Sequence, residues 1–181
     1  VRMGMLLAAP AGNDILFKED LCKQGANFCN KIWNAFRLVQ GWQAADIDQP
    51  LSSAKAIDWM QAKVRAEVAE IDDLYSKYRL NEALMTAFKL FTDEFSGWYL
   101  EMVKPAYQAP IDRKTLQATL QIFEDLMKVI HPFMPFITEE IYQHITERAE
   151  GESIMTSVLT LEAPNQADAA LLASMEQAKQ I

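Results

Sequence analysis

The chain predicts an antiparallel α-helical bundle, and three observations support this. Apolar residues recur at intervals of three and four through most of the 181 residues. Glycine and proline are sparse, at 6 and 7 residues, while half of the chain is hydrophobic and a tenth aromatic. The periodic segments are long and the polar stretches between them short, which favours antiparallel neighbours. A chain of this length can bury a real core as one domain, or as a domain with an appendage.

The opening residues VRMGMLLAAPAG imitate a short signal peptide, with Arg2, an apolar stretch and then small residues. The first residue is Val, however, and two unpaired cysteines suit a secreted protein poorly, so a piece of a longer chain is the better expectation. Cys22 and Cys29 are seven apart on one predicted helix. That is a rise of about 10.5 Å, too far for a disulfide, and reduced thiols in a cytosolic protein are expected. No apolar run reaches the roughly 18 residues of a membrane span.

Phe28, Ile32, Ala35 or Phe36, and Val39 repeat at helical spacing, so the first long helix is amphipathic and stops near Gly41. The segment AADIDQP reads as a loop. A second helix from about Ser53 carries Ile57, Met60, Val64, Val68, Ile71 and Tyr75, and breaks at Arg79-Leu80-Asn81. The third helix has the cleanest stripe: Leu84, Phe88, Phe91, Phe95, Trp98 and Met102 are all expected in the core. Pro105 ends it. Asp112 is the predicted N-cap of a fourth helix buried through Leu116, Leu120, Phe123, Met127 and Ile130. Pro132 and Pro135 interrupt the pattern. A fifth helix follows from Ile137 to about Glu147. The short stretch SIMTSVLTL is β-prone, and PNQADAALLASMEQAKQI returns to helix. Trp42 and Trp59 cannot be assigned from the pattern.

The motifs of catalysis are missing. A carboxylate-bridged di-metal bundle needs Glu-x-x-His on two helices, but Lys128 and Ile141 precede His131 and His144 by three. Glu140 and His144, four apart, read as a solvated surface pair, and His131 as a helix-end residue. No glycine-rich phosphate loop follows a strand, and no serine or cysteine has a base arranged beside it. No catalytic residue and no metal ligand is therefore expected.

One pattern opposes the rest of the composition. The chain carries 25 acids against 17 bases, a formal charge of −8, yet from Leu21 to Ala45 it holds Lys23, Lys31 and Arg37 and no Asp or Glu. Within NFCNKIWNAFRLV at 27–39, Asn27, Lys31 and Asn34 share one ridge, and Asn30, Asn34 and Arg37 the next. Cations meet phosphates and amides pair with exposed base edges. Trp33 and Phe36 supply rings on which bases stack. The plainer reading is a half-exposed helix with capping amides and Trp33 in the core. A helical scaffold for protein partners is the alternative function, although a scaffold has no need of an acid-free face.

NFCNKIWNAFRLV resembles the first helix of the anticodon-binding domain of class I aminoacyl-tRNA synthetases. YRLNEALMTAFKLFTDEFSGWYLEMVKP at 78–105, HPFMPFITEEIYQ at 131–143 and SIM at 153–155 follow in that family's order. MGMLLAAPAGNDILF looks like the stretch leaving the catalytic core. The resemblance covers nearly the whole chain. Asn-Lys-Ile-Trp-Asn is shared with the isoleucyl branch, while WYLE with Lys104, and His131-Pro132-Phe133 before Pro135-Phe136, lean to the valyl branch. Ala26, Phe36 and Gly97 depart from the family pattern, Ala26 and Gly97 where an arginine and an acid are usual.

The resemblance implies a division into residues 1–20, a connector from an absent catalytic core; 21–149, the anticodon-binding bundle; and 150–181, the start of a C-terminal extension of short α/β character. It implies the anticodon arm of tRNA(Val) as partner, beside the catalytic core of the same chain, with no membrane and a monomeric, cytoplasmic parent. ATP and Mg²⁺ belong to the parent and no cofactor to this piece. Asn34 and Arg37 are implied to meet anticodon bases and Lys31 a phosphate, with Asn30, Trp33 and Phe36 completing the candidate set.

Overall fold

Residues 1–8 and 18–180 are described by a computed structural model. The connector reading at 9–17, and Ile181, lie outside the described residues. The expected helical bundle is present, built from eight α-helices among the described residues. They are α1 (Arg2–Ala8), α2 (Glu19–Gln40), α3 (Leu51–Ser76), α4 (Leu80–Lys89), α5 (Leu100–Val103), α6 (Arg113–Ile130), α7 (Pro135–Ile145) and α8 (Gln166–Ala178).

α1 packs against the start of α2, with Met3 buried at the contact. Gly4 permits the approach, since a Cβ there would stand 2.9 Å from the main-chain nitrogen of Cys22. The Asn81 amide donates to the carbonyls of Leu6 and Leu7 at 2.9 Å, satisfying acceptors that a helix end leaves without partners.

α2 buries Phe28, Ile32, Ala35, Phe36 and Val39, the spacing read from the sequence. Its first turn holds Glu19 and Asp20 and its last Arg37, so charge complements the helix dipole at both ends. The acid-free stretch begins directly after that acidic turn. Gly41 ends the helix at φ −76°. Three residues on, Ala44–Ala45 (β1) pairs in parallel with Ile111–Asp112 (β2). This bridge joins two segments that read as loops, and fixes the end of α2 to the start of α6.

α3 is buried on more than its predicted stripe. Ile57, Met60, Val64 and Ile71 are joined by Trp59 and Ala62, at 1% and 0% exposure, so Trp59 is a core residue. The turn after α3 is exposed at Tyr78, which takes the left-handed region at φ 56°.

The next helix departs from the prediction. α4 runs without a break through a π-helical stretch, Leu90–Tyr99, into α5. Bonding from i to i+5 rather than i+4 adds about one residue per turn and moves the buried stripe along by one. Leu84, Phe91 and Phe95 are buried as expected, but Tyr99 then takes the core position, at 0%, and Trp98 is turned out at 43%. The expectation of Trp98 in the core fails because a 3.6-residue period cannot foresee the inserted residue. Rings of Phe28, Phe91, Phe95, Tyr99, Phe36 and Phe123 touch in series at centroid distances of 5.2–6.0 Å. The Tyr99 hydroxyl pairs with that of Thr119 at 2.8 Å, and burial pushes its pKa up to about 12.

Asp112 caps α6 as expected, accepting from the Thr115 N–H at 2.8 Å. α7 starts at Pro135 and His131 caps the end of α6, its Nδ1 2.7 Å from the Thr138 hydroxyl. The β-prone stretch SIMTSVLTL contains no strand: Ile154–Thr156 is a 3₁₀ turn and the rest is irregular. The described residues from 150 onward form no strand, so the α/β character expected of this segment is absent among them. Its helix, α8, opens with a reciprocal cap between Asn165 and Asp168 and lies against α3.

Candidate nucleic-acid interface

α2 and the π-helical stretch lie side by side, and between them runs an open groove. Asn27, Asn30, Lys31, Asn34 and Leu38 line it from α2, and Ser96, Leu100 and Glu101 from the other wall. Three of the four asparagine and lysine side chains are thus amides, each with a donor and an acceptor able to meet a base edge. All four are exposed. The sequence placed these residues on neighbouring ridges because positions three and four apart on a helix share a face.

Lys31 also joins the two walls. Its ammonium donates to the Thr92 carbonyl at 3.2 Å, bracing α2 against the π-helical stretch and leaving two of its donors free. Gly97 faces the same carbonyl; a Cβ there would stand 3.3 Å from it. The departure from the family pattern at Gly97 thus keeps the neighbourhood of the brace uncluttered.

Arg37 stands apart from the groove. It lines a separate cleft of about 620 Å³ at the end of α2, with Trp42, Gln43, Tyr107 and Gln108. Leu38, exposed at 44%, borders both. The candidates therefore fall into two adjoining surfaces rather than one row. Trp33 lines neither, although 37% of it is exposed and its ring lies 5.8 Å from Phe36. Phe36 is a correction: it is 3% exposed and packs on Phe123 at 6.0 Å. Its ring is committed to the core and cannot stack on a base.

Glu101 also qualifies the acid-free reading. The helix face has no carboxylate in sequence, but the fold brings this one to the groove's edge. Its charge is met by Lys104, three residues on. Leu38, Ser96 and Tyr107 escaped the sequence analysis because a leucine or tyrosine at helical or loop spacing carries no functional signal until its exposure is known. Exposed Arg113 and Lys114 follow directly on β2, at the start of α6, and line neither surface.

Glu140 and His144 are exposed, with His144 Nδ1 on the Glu140 carbonyl at 2.7 Å. Burial lowers the His131 pKa, opposed by the Glu139 charge.

This helical bundle with an open face of amides and cations belongs to a tRNA ligase family. Residues 58–181 match the family described as the anticodon-binding domain of tRNA ligase. The chain is similar to valine–tRNA ligases: 61% identical to that of Phocaeicola vulgatus over 89% of this chain and 18% of the relative. It is 60% identical to that of Parabacteroides distasonis over 87% and 18%, and 56% identical to that of Bacteroides thetaiotaomicron over 99% and 20%. The chain thus spans about a fifth of the length of the curated relatives it matches. Among the described residues no helix is long and apolar enough to cross a membrane.

Proposed function

We propose that the chain is the anticodon-holding part of a longer valine–tRNA ligase and docks the anticodon arm of tRNA(Val) on α2. The observation that carries this reading is the groove into which Asn27, Asn30, Lys31 and Asn34 converge. Amides read unpaired base edges, Lys31 meets a phosphate, and Arg37 binds at the neighbouring cleft. An acidic chain repels loose polyanion, so only an arm that fits the limited basic face gains enough contacts to stay.

In this reading residues 21–149 hold the arm, 1–20 connect to a catalytic core and 150–181 begin an extension. The core joins valine to tRNA with ATP and Mg²⁺, in a monomeric cytoplasmic enzyme. In this chain, among the described residues, no three His, Cys, Asp or Glu side chains lie together where they could hold a metal. No chemical step is assigned to it.

Binding of the chain to a valine tRNA, beside a tRNA for another amino acid, across a salt series tests the reading. The valine tRNA is expected to bind better, and Asn34→Ala and Arg37→Ala to erode that preference. Binding that ignores both tRNA identity and the two variants would overturn it.

A further inference from the structure

The cleft at the end of α2 is larger than the groove beside it and is built from different parts. α2 ends at Gln40, and Trp42 and Gln43 continue from it across the cleft floor. The opposite wall is the loop Pro105–Ala109, which leaves α5 and returns to β2. Two main-chain bonds hold that loop: the Ala109 N–H donates to the Ala106 carbonyl at 2.9 Å, and the Ile111 N–H to the Gln43 carbonyl at 2.9 Å. Gln108, inside the turn closed by the first, takes the left-handed region at φ 62°, where a non-glycine residue persists only if its surroundings hold it.

This bracing presents Tyr107. It is the most exposed large apolar side chain among the described residues, at 92%, and stands opposite Arg37 and half-buried Trp42 across the cleft. A tyrosine placed in the core or against a neighbouring helix would show nothing like this exposure. Among the described residues, Arg37 is the one charged residue lining the cleft, and no carboxylate does. Gln43 and Gln108 bring side-chain amides to the same rim. Rings for stacking, amides for base edges and a cation for the backbone are the parts of a site for an unpaired base. Leu38 makes the cleft continuous with the asparagine groove.

We propose that this cleft takes a second unpaired nucleobase of the docked RNA loop, stacked on Tyr107 and flanked by Arg37, next to the bases met by Asn30 and Asn34. The assignment rests on the RNA-docking reading of α2. It divides the labour along the helix: the groove reads edges, and the cleft clamps a neighbouring base by its face. Stacking is tolerant of base identity, so the cleft contributes grip more than discrimination.

The test uses the chain and an anticodon stem-loop of a valine tRNA, with each loop nucleotide replaced in turn by the fluorescent base 2-aminopurine. One loop position is expected to be quenched when the wild-type chain or Tyr107→Phe binds. Tyr107→Ala, an exposed loop change that leaves the core untouched, is expected to abolish that quenching and weaken binding about ten- to a hundredfold, the range of one lost stack. If Asn34→Ala weakens binding while Tyr107→Ala changes neither affinity nor quenching, the cleft assignment is wrong and the groove reading stands. If the wild-type chain binds no stem-loop, the groove reading fails, and the cleft assignment with it.

Discussion

The Lys31 ammonium reaches across to the main-chain carbonyl of Thr92 at 3.2 Å. A residue chosen from sequence as a phosphate contact thereby also sets the spacing between α2 and the π-helical stretch, and so the width of the groove. Its two roles separate experimentally. Lys31→Met keeps the apolar stem and removes the charge, so stability should fall by no more than about 0.5–1.5 kcal/mol, the worth of one ordinary hydrogen bond. RNA affinity should fall more steeply, and the slope of log affinity against log salt should become shallower by about 0.7–0.9, one phosphate contact. An unchanged slope in anisotropy titrations would leave Lys31 as a brace alone.

The one-residue shift in the stripe gives a second expectation. Trp98 is the larger ring but is 43% exposed, whereas Tyr99 is fully buried and bonded to Thr119. Tyr99→Ala should cost about 3–5 kcal/mol in urea unfolding, as for other buried aromatic truncations. Trp98→Ala should cost well under half as much, because its ring keeps a solvent-facing side. A regular helix would reverse that order, so a larger loss at Trp98 would contradict the π-helical register.

Those two side chains mark the limit of what the sequence could tell. The helices were legible because each buries a stripe at a regular period, and the Asp112 cap because its chemistry is local. The strand bridge was hidden: two residues of pairing leave no alternation to detect. SIMTSVLTL looked like a strand because β-branched residues favour extended backbone, but a strand also needs a partner and none is offered. The asparagines and Lys31 were found by their spacing. Phe36 was misjudged because an aromatic at the boundary of a stripe is consistent with either side, and only its packing on Phe123 decides. Tyr107 lay in a loop, where no period predicts exposure.

Glu124 should make stability depend on acid pH. Burial raises its pKa, but hydrogen bonds from Lys128 and Arg148 outweigh that and hold the carboxyl below its ordinary range. Arg148 is itself fixed with its guanidinium 3.8 Å from the centre of the Tyr142 ring, so the ion pair joins α6 to the segment after α7. A lowered folded-state pKa means the contribution is complete above the ordinary carboxylate pKa and is lost as pH falls through the folded value. Glu124→Gln should cost roughly 1.5–3 kcal/mol at neutral pH, and the gap from wild type should close steadily below about pH 4.5. A gap that does not vary between pH 7 and pH 3 would show that packing, not charge, makes the difference.

Asp168 should control α8 alone. Its carboxylate accepts from Arg65 on α3 and from the Asn165 N–H at 3.1 Å, while its own N–H donates to the Asn165 side chain at 3.0 Å. One residue therefore both starts the helix and fastens it to the bundle, and the Arg65 hydrogen bond holds its pKa down. The apolar contacts of Leu171, Leu172 and Met175 are only half-buried, too little to keep a 13-residue helix docked unaided, since isolated helices of that length are marginal in water. Asp168→Ala should speed hydrogen exchange across Gln166–Ala178 while amides of Phe91, Phe95 and Phe123 in the main core keep their protection. Asp168→Asn retains a capping acceptor but not the ion pair, and should fall between. Lowering the pH through the carboxylate range should loosen wild-type α8 in the same way, because a depressed pKa places the stabilisation on the ionised side. Uniform loss of protection across both regions would mean that α8 and the bundle unfold as one unit, and that the two fastenings of Asp168 are not what separates them.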